Sequence, residues 1–139
     1  MIPFRDTLDT PLGTLTLEAN ERGLSSIRFP NRQQPVSGKP TSNSVIKLAK
    51  RQLKAYFARR LREFSVPLDW HGTAFQESVW RTLTAVPFSE TVSYADIARA
   101  IGRPQSARPT GGAVGRNPLP IIVPCHRVIG SDHTLTGFA

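Results

Sequence analysis

A run of prolines and apolar residues near the end of the chain constrains the fold more than any other feature. Residues 117–129 read NPLPIIVPCHRVI, with three prolines in seven residues. Proline fixes its own backbone angle, lacks an amide donor and disfavours helix in the preceding residue, so we expect an extended segment. The apolar run 121–123 favours burial. Cys125 is therefore expected on a rigid, largely buried ledge, with His126 and Arg127 beside it.

Cys125 is the single cysteine, which excludes an internal disulfide, a cysteine-based zinc site and an iron–sulfur cluster. A lone intracellular cysteine is most often a small buried hydrophobe. Only the thiolate attacks carbon well, however, and a neighbouring base or cation raises the thiolate fraction. His126 and Arg127 are such neighbours, so a nucleophile is the second interpretation. The three histidines have no repeated spacing, and no metal is predicted.

The length and the charge limit the classes of protein that this chain can be. With 139 residues it forms one domain or two small ones. Its formal net charge of +8 favours a polyanion partner such as nucleic acid, and a basic surface that serves only solubility is the alternative. No apolar run is long enough for a membrane helix. No secretory signal is visible, so we expect a cytoplasmic location.

The first half of the chain changes from strand to helix patterning. Apolar residues at 15, 17 and 19 alternate with polar Thr14, Thr16 and Glu18, which predicts a half-buried strand. A turn over 20–23 and a second strand over 24–29 complete a predicted β-hairpin, and 30–43 predict a loop. An apolar stripe at helical spacing begins at Ser44. Residues 47–62 carry seven positive charges and no negative one, which favours a solvated helix face over a contact surface. Alternation over 64–70 predicts an edge strand, because Pro67 does not fit a central one.

The second half predicts three helices. Thr73 with Gln76, and Ser93 with Asp96, fit capping boxes, and Ser106 is the predicted cap of a third helix ending near Arg116. The last two helices resemble a helix-turn-helix, with an ordinary helical hairpin as the alternative. Small residues at 111–113 would let the last helix approach a DNA groove closely.

The residues around the cysteine resemble a known family. Pro124–Val128 is similar to the PCHRV active-site motif of the O6-alkylguanine-DNA alkyltransferases, also called methylated-DNA–protein-cysteine methyltransferases. Asn117-Pro118 resembles the hinge of that family. Residues 106–113 resemble its recognition helix, 92–94 its DNA-facing tyrosine segment and 75–80 a further helix. The match is dense over residues 73–139 and loose over 10–70.

The resemblance implies an α/β protein with a small N-terminal domain over 1–70, built from antiparallel strands and a basic helix. A mostly helical, winged-helix-like DNA-binding and active-site domain would follow over 71–139. The implied activity is DNA repair, in which the alkyl group of O6-alkylguanine, and in some cases O4-alkylthymine, moves irreversibly to Cys125 after base flipping. The partner would be double-stranded DNA, the protein a monomer, and no cofactor is needed.

The resemblance also assigns roles to individual residues. Cys125 would be the nucleophile, His126 its base through a water molecule, and Tyr94 would crowd a phosphate and donate a proton to the departing guanine. Arg108 would fill the space that the flipped base leaves. The remaining DNA-facing residues are Ser93, Thr110, Gly111, Gly112 and Arg116. The hinge residues are Asn117, Pro120 and Pro124, and the base pocket takes Arg127, Val128 and Phe138.

Two departures from the family pattern affect these expectations. Pro109-Thr110 follows Arg108 where the family has Ala-Val, which predicts a cap-like, non-helical Arg108 and a modest loss of function. The sequence also ends at Ala139, before the family's last helix and the glutamate that orients the motif histidine, so we expect reduced activity. The alternative functions are a helix-turn-helix protein that binds DNA without chemistry and a different cysteine enzyme, such as a hydrolase.

Overall fold

The computed structural model describes residues 4–30, 41–87, 90–124 and the backbone of 128–129. The chain divides into two compact units, Met1–Trp70 and His71–Ala139, called unit 1 and unit 2 below. Unit 1 is a sheet with one helix, and unit 2 is mostly helical, so the predicted mixed α/β class is confirmed. Among the described residues, no helix has the length and apolar character needed to cross a membrane.

Three antiparallel strands in the order β1-β2-β3 form the sheet of unit 1. They are β1 (Phe4–Thr10), β2 (Gly13–Ala19) and β3 (Leu24–Arg28). The predicted hairpin of β2 and β3 is confirmed, and the Asn20 side chain closes its turn by accepting from the amides of Arg22 and Gly23. Strand β1 was not predicted, because Leu8 is its one buried side chain and its other residues show no apolar alternation.

Strand β2 is buried on both faces, whereas the alternation predicted a half-buried strand. Thr16 and Glu18 are both almost completely buried. The Glu18 carboxylate accepts from the guanidinium of Arg5 at 2.6 Å and forms an ion pair with Arg28 at 3.2 Å. Charged side chains on both neighbouring strands therefore allow the polar face of β2 to be buried, because a buried charge needs partners.

One helix, α1 (Ser44–Phe57), packs on this sheet, as the sequence predicts. Asn43 caps it by accepting from the amide of Ile46 at 3.0 Å. Its apolar stripe is buried against the strands and consists of Val45, Ile46, Ala49 and Leu53. The predicted loop over 30–43 falls mainly on residues outside the described part of the chain.

The predicted edge strand over 64–70 is wrong. The segment reaches the sheet at one point, where Leu68 forms an isolated parallel bridge with Leu24. Two backbone hydrogen bonds hold it, from the Leu24 amide to the Pro67 carbonyl and from the Asp69 amide to the Leu24 carbonyl, both 2.8 Å long. Pro67 has no amide to extend the ladder, so pairing stops there.

The described part of unit 2 contains three helices that pack against one another. Its elements are α2 (Ala74–Thr84), β4 (Val92–Ser93), α3 (Tyr94–Ala100), α4 (Ala107–Gly115) and β5 (Val128–Ile129). Both predicted capping boxes are confirmed, at Thr73 with Gln76 and at Ser93 with Asp96. Buried Trp80 on α2 donates its indole N–H to the carbonyl of Ala113 on α4, at 2.9 Å, and so ties these two helices together.

Candidate active site

The start of α3 carries the tyrosine that the sequence singles out. Ser93 caps the helix: its hydroxyl accepts from the Asp96 amide, and the Asp96 carboxylate accepts from the Ser93 amide, each at 3.0 Å. Hydrogen bonding to the Ser93 amide and side chain and the nearby charge of Arg99 hold the pKa of the Asp96 carboxyl below its ordinary value. The cap fixes the direction of the first turn, and Tyr94 is the first residue of that turn.

The ring of half-buried Tyr94 lies against α4. A side-chain carbon placed on Gly111 would be 3.6 Å from the Tyr94 Cζ atom, an ordinary van der Waals distance. Arg108 is exposed and lies three residues before Gly111, so the two share a helix face. The structure therefore brings Tyr94 and the helix face of Arg108 together on neighbouring helices.

Helix α4 begins differently from the prediction. Ser106 occupies the cap position, but its side chain makes no capping hydrogen bond. The Ser106 carbonyl instead accepts from the Thr110 amide at 3.0 Å and from the Thr110 hydroxyl at 2.7 Å. The predicted cap-like Arg108 is also wrong, since Arg108 lies inside the helix. Pro109 is tolerated because an amide in the first turn of a helix has no intrahelical partner to lose.

Two of the residues expected to face DNA are partly or wholly committed to packing. Thr110 is completely buried, so its side chain offers no surface to a nucleic acid, and its prediction as a DNA contact is corrected. Gly111 lies beneath the Tyr94 ring. Gly112 and exposed Arg116 contact each other, because the Arg116 guanidinium donates to the Gly112 carbonyl at 3.4 Å. Arg108 and Arg116 are the charged side chains that α4 and its C-cap expose.

Residues 117–124 form a tight, buried turn rather than the extended segment that the prolines predict. The Val123 amide donates to the Leu119 carbonyl at 2.8 Å, and Pro120 bridges to Val123. Ile121 has a φ of 77°, which a β-branched residue rarely adopts. The predicted burial is confirmed, since residues 119–124 are all buried. The apolar core around the turn holds Ile121 in this conformation.

Asn117 closes this turn with its side chain. Its amide group donates to the Val123 carbonyl at 2.8 Å, and its carbonyl oxygen accepts from the Leu119 amide at 2.9 Å. Leu119 and Val123 are completely buried, so few other partners can replace Asn117. The end of α4 is thereby connected to the segment that leads into Pro124.

The backbone that follows the cysteine motif is held by strand pairing. Strand β5 pairs in parallel with β4, with Val128 opposite Val92 and Ile129 opposite Ser93. This pairing attaches the backbone after the motif to the residues directly before Tyr94. Cys125, His126, Arg127 and Phe138 lie outside the described residues, and Val128 is described by its backbone alone. Within the described part of the chain, no group of three His, Cys, Asp or Glu could hold a metal ion.

Sequence reasoning missed two features of this site. The hydrogen bond from Trp80 to Ala113 has no local sequence signal, because it joins residues 33 positions apart. The left-handed Ile121 could not be found either, because glycine or asparagine marks such positions in sequences.

These features define a class: a mixed α/β protein whose helical unit packs α3 against α4 next to a buried proline-rich turn. Two family models cover both units. The ribonuclease-like domain of 6-O-methylguanine DNA methyltransferase matches residues 4–70, and the DNA binding domain of the same enzyme matches residues 74–139. The chain belongs to the 6-O-methylguanine DNA methyltransferase family.

Individual relatives align with nearly the whole length of this chain. The methylated-DNA–protein-cysteine methyltransferase of Mycobacterium bovis is 46% identical and covers 99% of this chain and 84% of its own. The protein of that name from Methanosarcina barkeri is 41% identical over 98% of this chain and 88% of its own. The crystal structure of Mycobacterium tuberculosis OGT in complex with DNA is similar to this chain with a TM-score of 0.87 and 44% identity. The alignment covers 98% of this chain and 84% of that one.

Proposed function

We propose that this protein repairs DNA directly, by moving the alkyl group of O6-alkylguanine to its own Cys125. The observation that carries the proposal is that both family models match in order while Pro124–Val128 keeps the full active-site motif. The names of the relatives describe the same transfer, from methylated DNA to a protein cysteine. O4-alkylthymine belongs to the proposal as a second substrate.

The proposed reaction is a displacement at the alkyl carbon. The Cys125 thiolate supplies the electron pair of the new S–C bond, and the bond from the guanine O6 to carbon breaks. The thiol proton passes through water to His126, and the guanine takes up a proton as it leaves, with Tyr94 as the donor. The product is a stable thioether, so each molecule reacts once.

The geometry of unit 2 suits a base-flipping step. The O6 substituent lies inside the base stack, so the nucleotide must leave the duplex before the sulfur can reach it. Exposed Arg108 on α4 is the residue proposed to occupy the vacated space, because a planar guanidinium stacks on bases. Tyr94 lies against the same helix, where it can crowd the phosphate of the flipped nucleotide.

The turn before the cysteine has a positioning role in this proposal. Asn117 holds the turn through the Leu119 amide and the Val123 carbonyl, while Pro120 and Pro124 limit its backbone freedom. Arg127, Val128 and Phe138 are proposed to line the base pocket. Ser93, Gly112 and Arg116 remain proposed DNA-facing residues, the first through its backbone because its hydroxyl caps α3.

The remaining parts of the proposal concern the whole molecule. Units 1 and 2 are proposed to be separate domains, the active protein to be a monomer, and the reaction to need no cofactor. Because the substrate is DNA, a cytoplasmic location belongs to the same proposal.

The decisive experiment compares the intact mass of the protein before and after incubation with a duplex that contains one O6-methylguanine. The proposal predicts a gain of one methyl group in the wild type and none in Cys125→Ser. An unchanged mass in a folded protein that binds the duplex tightly and in a salt-dependent manner would contradict the proposal. That result would support the alternative, a DNA-binding helix-turn-helix protein without chemistry.

A further inference from the structure

One face of helix α1 is basic from Lys47 to Lys54. Lys47, Lys50, Arg51 and Lys54 follow the spacing i, i+3, i+4 and i+7, which places them on one side of the helix. The buried stripe against the sheet uses other positions. Helix α1 has no acidic residue of its own, so its basic face is not neutralised along the helix.

These cations surround a groove in unit 1. The groove has a volume of about 720 Å³ and opens to solvent. The described residues that line it are Asp6, Ser42, Lys47, Lys50, Arg51, Lys54, Ala55, Ala58 and Arg60. Ala55 and Ala58 lie one turn further along the same side of α1 and also line the groove. Their side chains are small, so they leave space beside the long cationic side chains. The sequence favoured a solvated helix face here, but the structure gathers five cations around one concave surface.

The fifth cation of the groove, Arg60, follows a turn at the end of α1 whose backbone conformation is rare for residues other than glycine. Arg59 has a φ of 62°, in the left-handed region where helix ends usually carry glycine. The following Arg60 amide donates to the Ala55 carbonyl at 2.8 Å, which bends the chain back along the helix. This bend sets Arg60 among the residues that line the groove.

Little negative charge opposes these cations. Asp6 is the single acidic residue among the described residues that line the groove, and its carboxylate binds the Lys50 ammonium at 3.0 Å. Burial alone would raise the pKa of Asp6, but the hydrogen bonds from Lys50 and from the Thr7 amide, with the charge of Lys50, lower it. Asp6 therefore stays ionised and neutralises one lysine. Lys47, Arg51, Lys54 and Arg60 are exposed, and none of them forms an ion pair with a carboxylate among the described residues of unit 1.

We propose that this groove binds the phosphodiester backbone of duplex DNA without regard to sequence, as a second DNA contact that lies in unit 1 and does not involve Cys125. From Lys47 to Lys54 the helix rises about 10 Å, at 1.5 Å per residue. Phosphates follow each other about every 3.4 Å of duplex axis on one strand, so the row of cations can face about three of them.

The character of the groove distinguishes a polyanion backbone from a compact small ligand. Four of its five cationic side chains are exposed, and such groups contact phosphates as charges and carry no base-edge recognition. A site for one small anion would instead gather its donors around a single enclosed position. The open groove and linear arrangement thus fit an extended chain of phosphates.

The experiment measures binding of the full-length protein to an undamaged fluorescent duplex, by anisotropy, across a series of salt concentrations. The test variant is Lys47→Gln with Lys54→Gln. The control for net charge is Arg22→Gln with Arg59→Gly, which removes the same number of positive charges from exposed positions of unit 1 that do not line the groove. Arg22→Gln also ends an ion pair with Asp69 at 3.2 Å, so the control is used only after urea unfolding shows that it is folded. Glycine also accepts the left-handed conformation of Arg59.

The slope of log Kobs against log salt is negative, and each lost phosphate contact reduces its magnitude by about 0.9. The groove variant is therefore expected to lose about 2 from the magnitude of the slope and to bind at least tenfold more weakly at low salt, whereas the control keeps the wild-type slope. Equal slopes in the wild type and the folded groove variant would overturn the inference. An equal loss in the control would also overturn it, because the effect would then reflect net charge alone. Because the assay uses undamaged DNA, its result does not depend on whether Cys125 reacts. A failure of this inference can therefore be distinguished from a failure of the proposed repair activity.

Discussion

Replacing Asn117 by alanine tests the proposed positioning role of the turn before the cysteine. The Asn117 side chain makes two hydrogen bonds, to the Val123 carbonyl at 2.8 Å and from the Leu119 amide at 2.9 Å. Both partner residues are completely buried, so water does not readily replace the lost amide group. An unsatisfied buried donor or acceptor costs about 1–3 kcal/mol. Two such groups are left unsatisfied, so Asn117→Ala is expected to lower the free energy of unfolding by about 2–6 kcal/mol.

A second variant separates the two hydrogen bonds. Asn117→Asp keeps an oxygen that accepts from the Leu119 amide but removes the donor to the Val123 carbonyl, and it adds a negative charge near that carbonyl. We expect Asn117→Asp to be destabilised about as much as the alanine variant, since charge repulsion and a lost bond outweigh the bond that it keeps. Serine at the same position, which restores part of the polarity, should fall between wild type and alanine.

Urea unfolding gives the stability of each variant, and single-turnover transfer from O6-methylguanine duplex gives the rate at a temperature where all variants remain folded. If the turn positions the cysteine segment, the rate of Asn117→Ala falls by at least tenfold under those conditions. A loss of less than about 0.5 kcal/mol in stability, together with an unchanged rate, would refute the reasoning, because it would show that neither hydrogen bond supports the turn.

Three further predictions concern stability. Trp80→Phe removes the indole donor to the buried Ala113 carbonyl, which keeps its hydrogen bond from the Arg116 amide at 3.1 Å, so we expect a cost of about 0.5–1.5 kcal/mol in urea unfolding. An unchanged midpoint would contradict the importance of this bond. Arg59→Gly relieves a left-handed backbone and should stabilise the protein by about 0.5–1 kcal/mol, whereas Arg59→Ala should not. The pKa of Asp96 is lowered by the Ser93 amide, the Ser93 hydroxyl and Arg99, so its stabilising contribution is fully present above its ordinary value of 3.8 and is lost as the pH falls through the lower folded value. Asp96→Asn should flatten that part of the pH profile of stability, measured by unfolding between about pH 6 and pH 2.

The helix caps show what can be predicted from the sequence alone. Thr73 with Gln76 and Ser93 with Asp96 are local signals, since each pair closes a single helical turn, and both form as predicted. The hairpin around Asn20 is equally local. The residues of the methyltransferase motif could also be recognised, because Pro124–Val128 is contiguous in the sequence.

Tertiary packing determined the features that the sequence analysis predicted wrongly. Thr110 is polar and was expected at the DNA, but its hydroxyl bonds within its own helix and the side chain is buried. Glu18 was expected on a polar strand face, and two arginines from neighbouring strands allow it to be buried. The prolines suggested an extended approach to the cysteine, yet the Asn117 side chain and the left-handed Ile121 form a turn. In each case the structure is decided by a contact with another residue or by an unusual backbone angle, and the residue's own type signals neither.

The most direct test of the account is to locate the transferred group by peptide mapping after reaction with a duplex that contains O6-methylguanine. The account predicts S-methylcysteine at Cys125, at most one methyl group per protein molecule, and unmodified guanine restored in the same amount in the DNA. Methyl groups on another residue, or more guanine restored than protein present, would contradict the proposal that Cys125 accepts the alkyl group once and irreversibly.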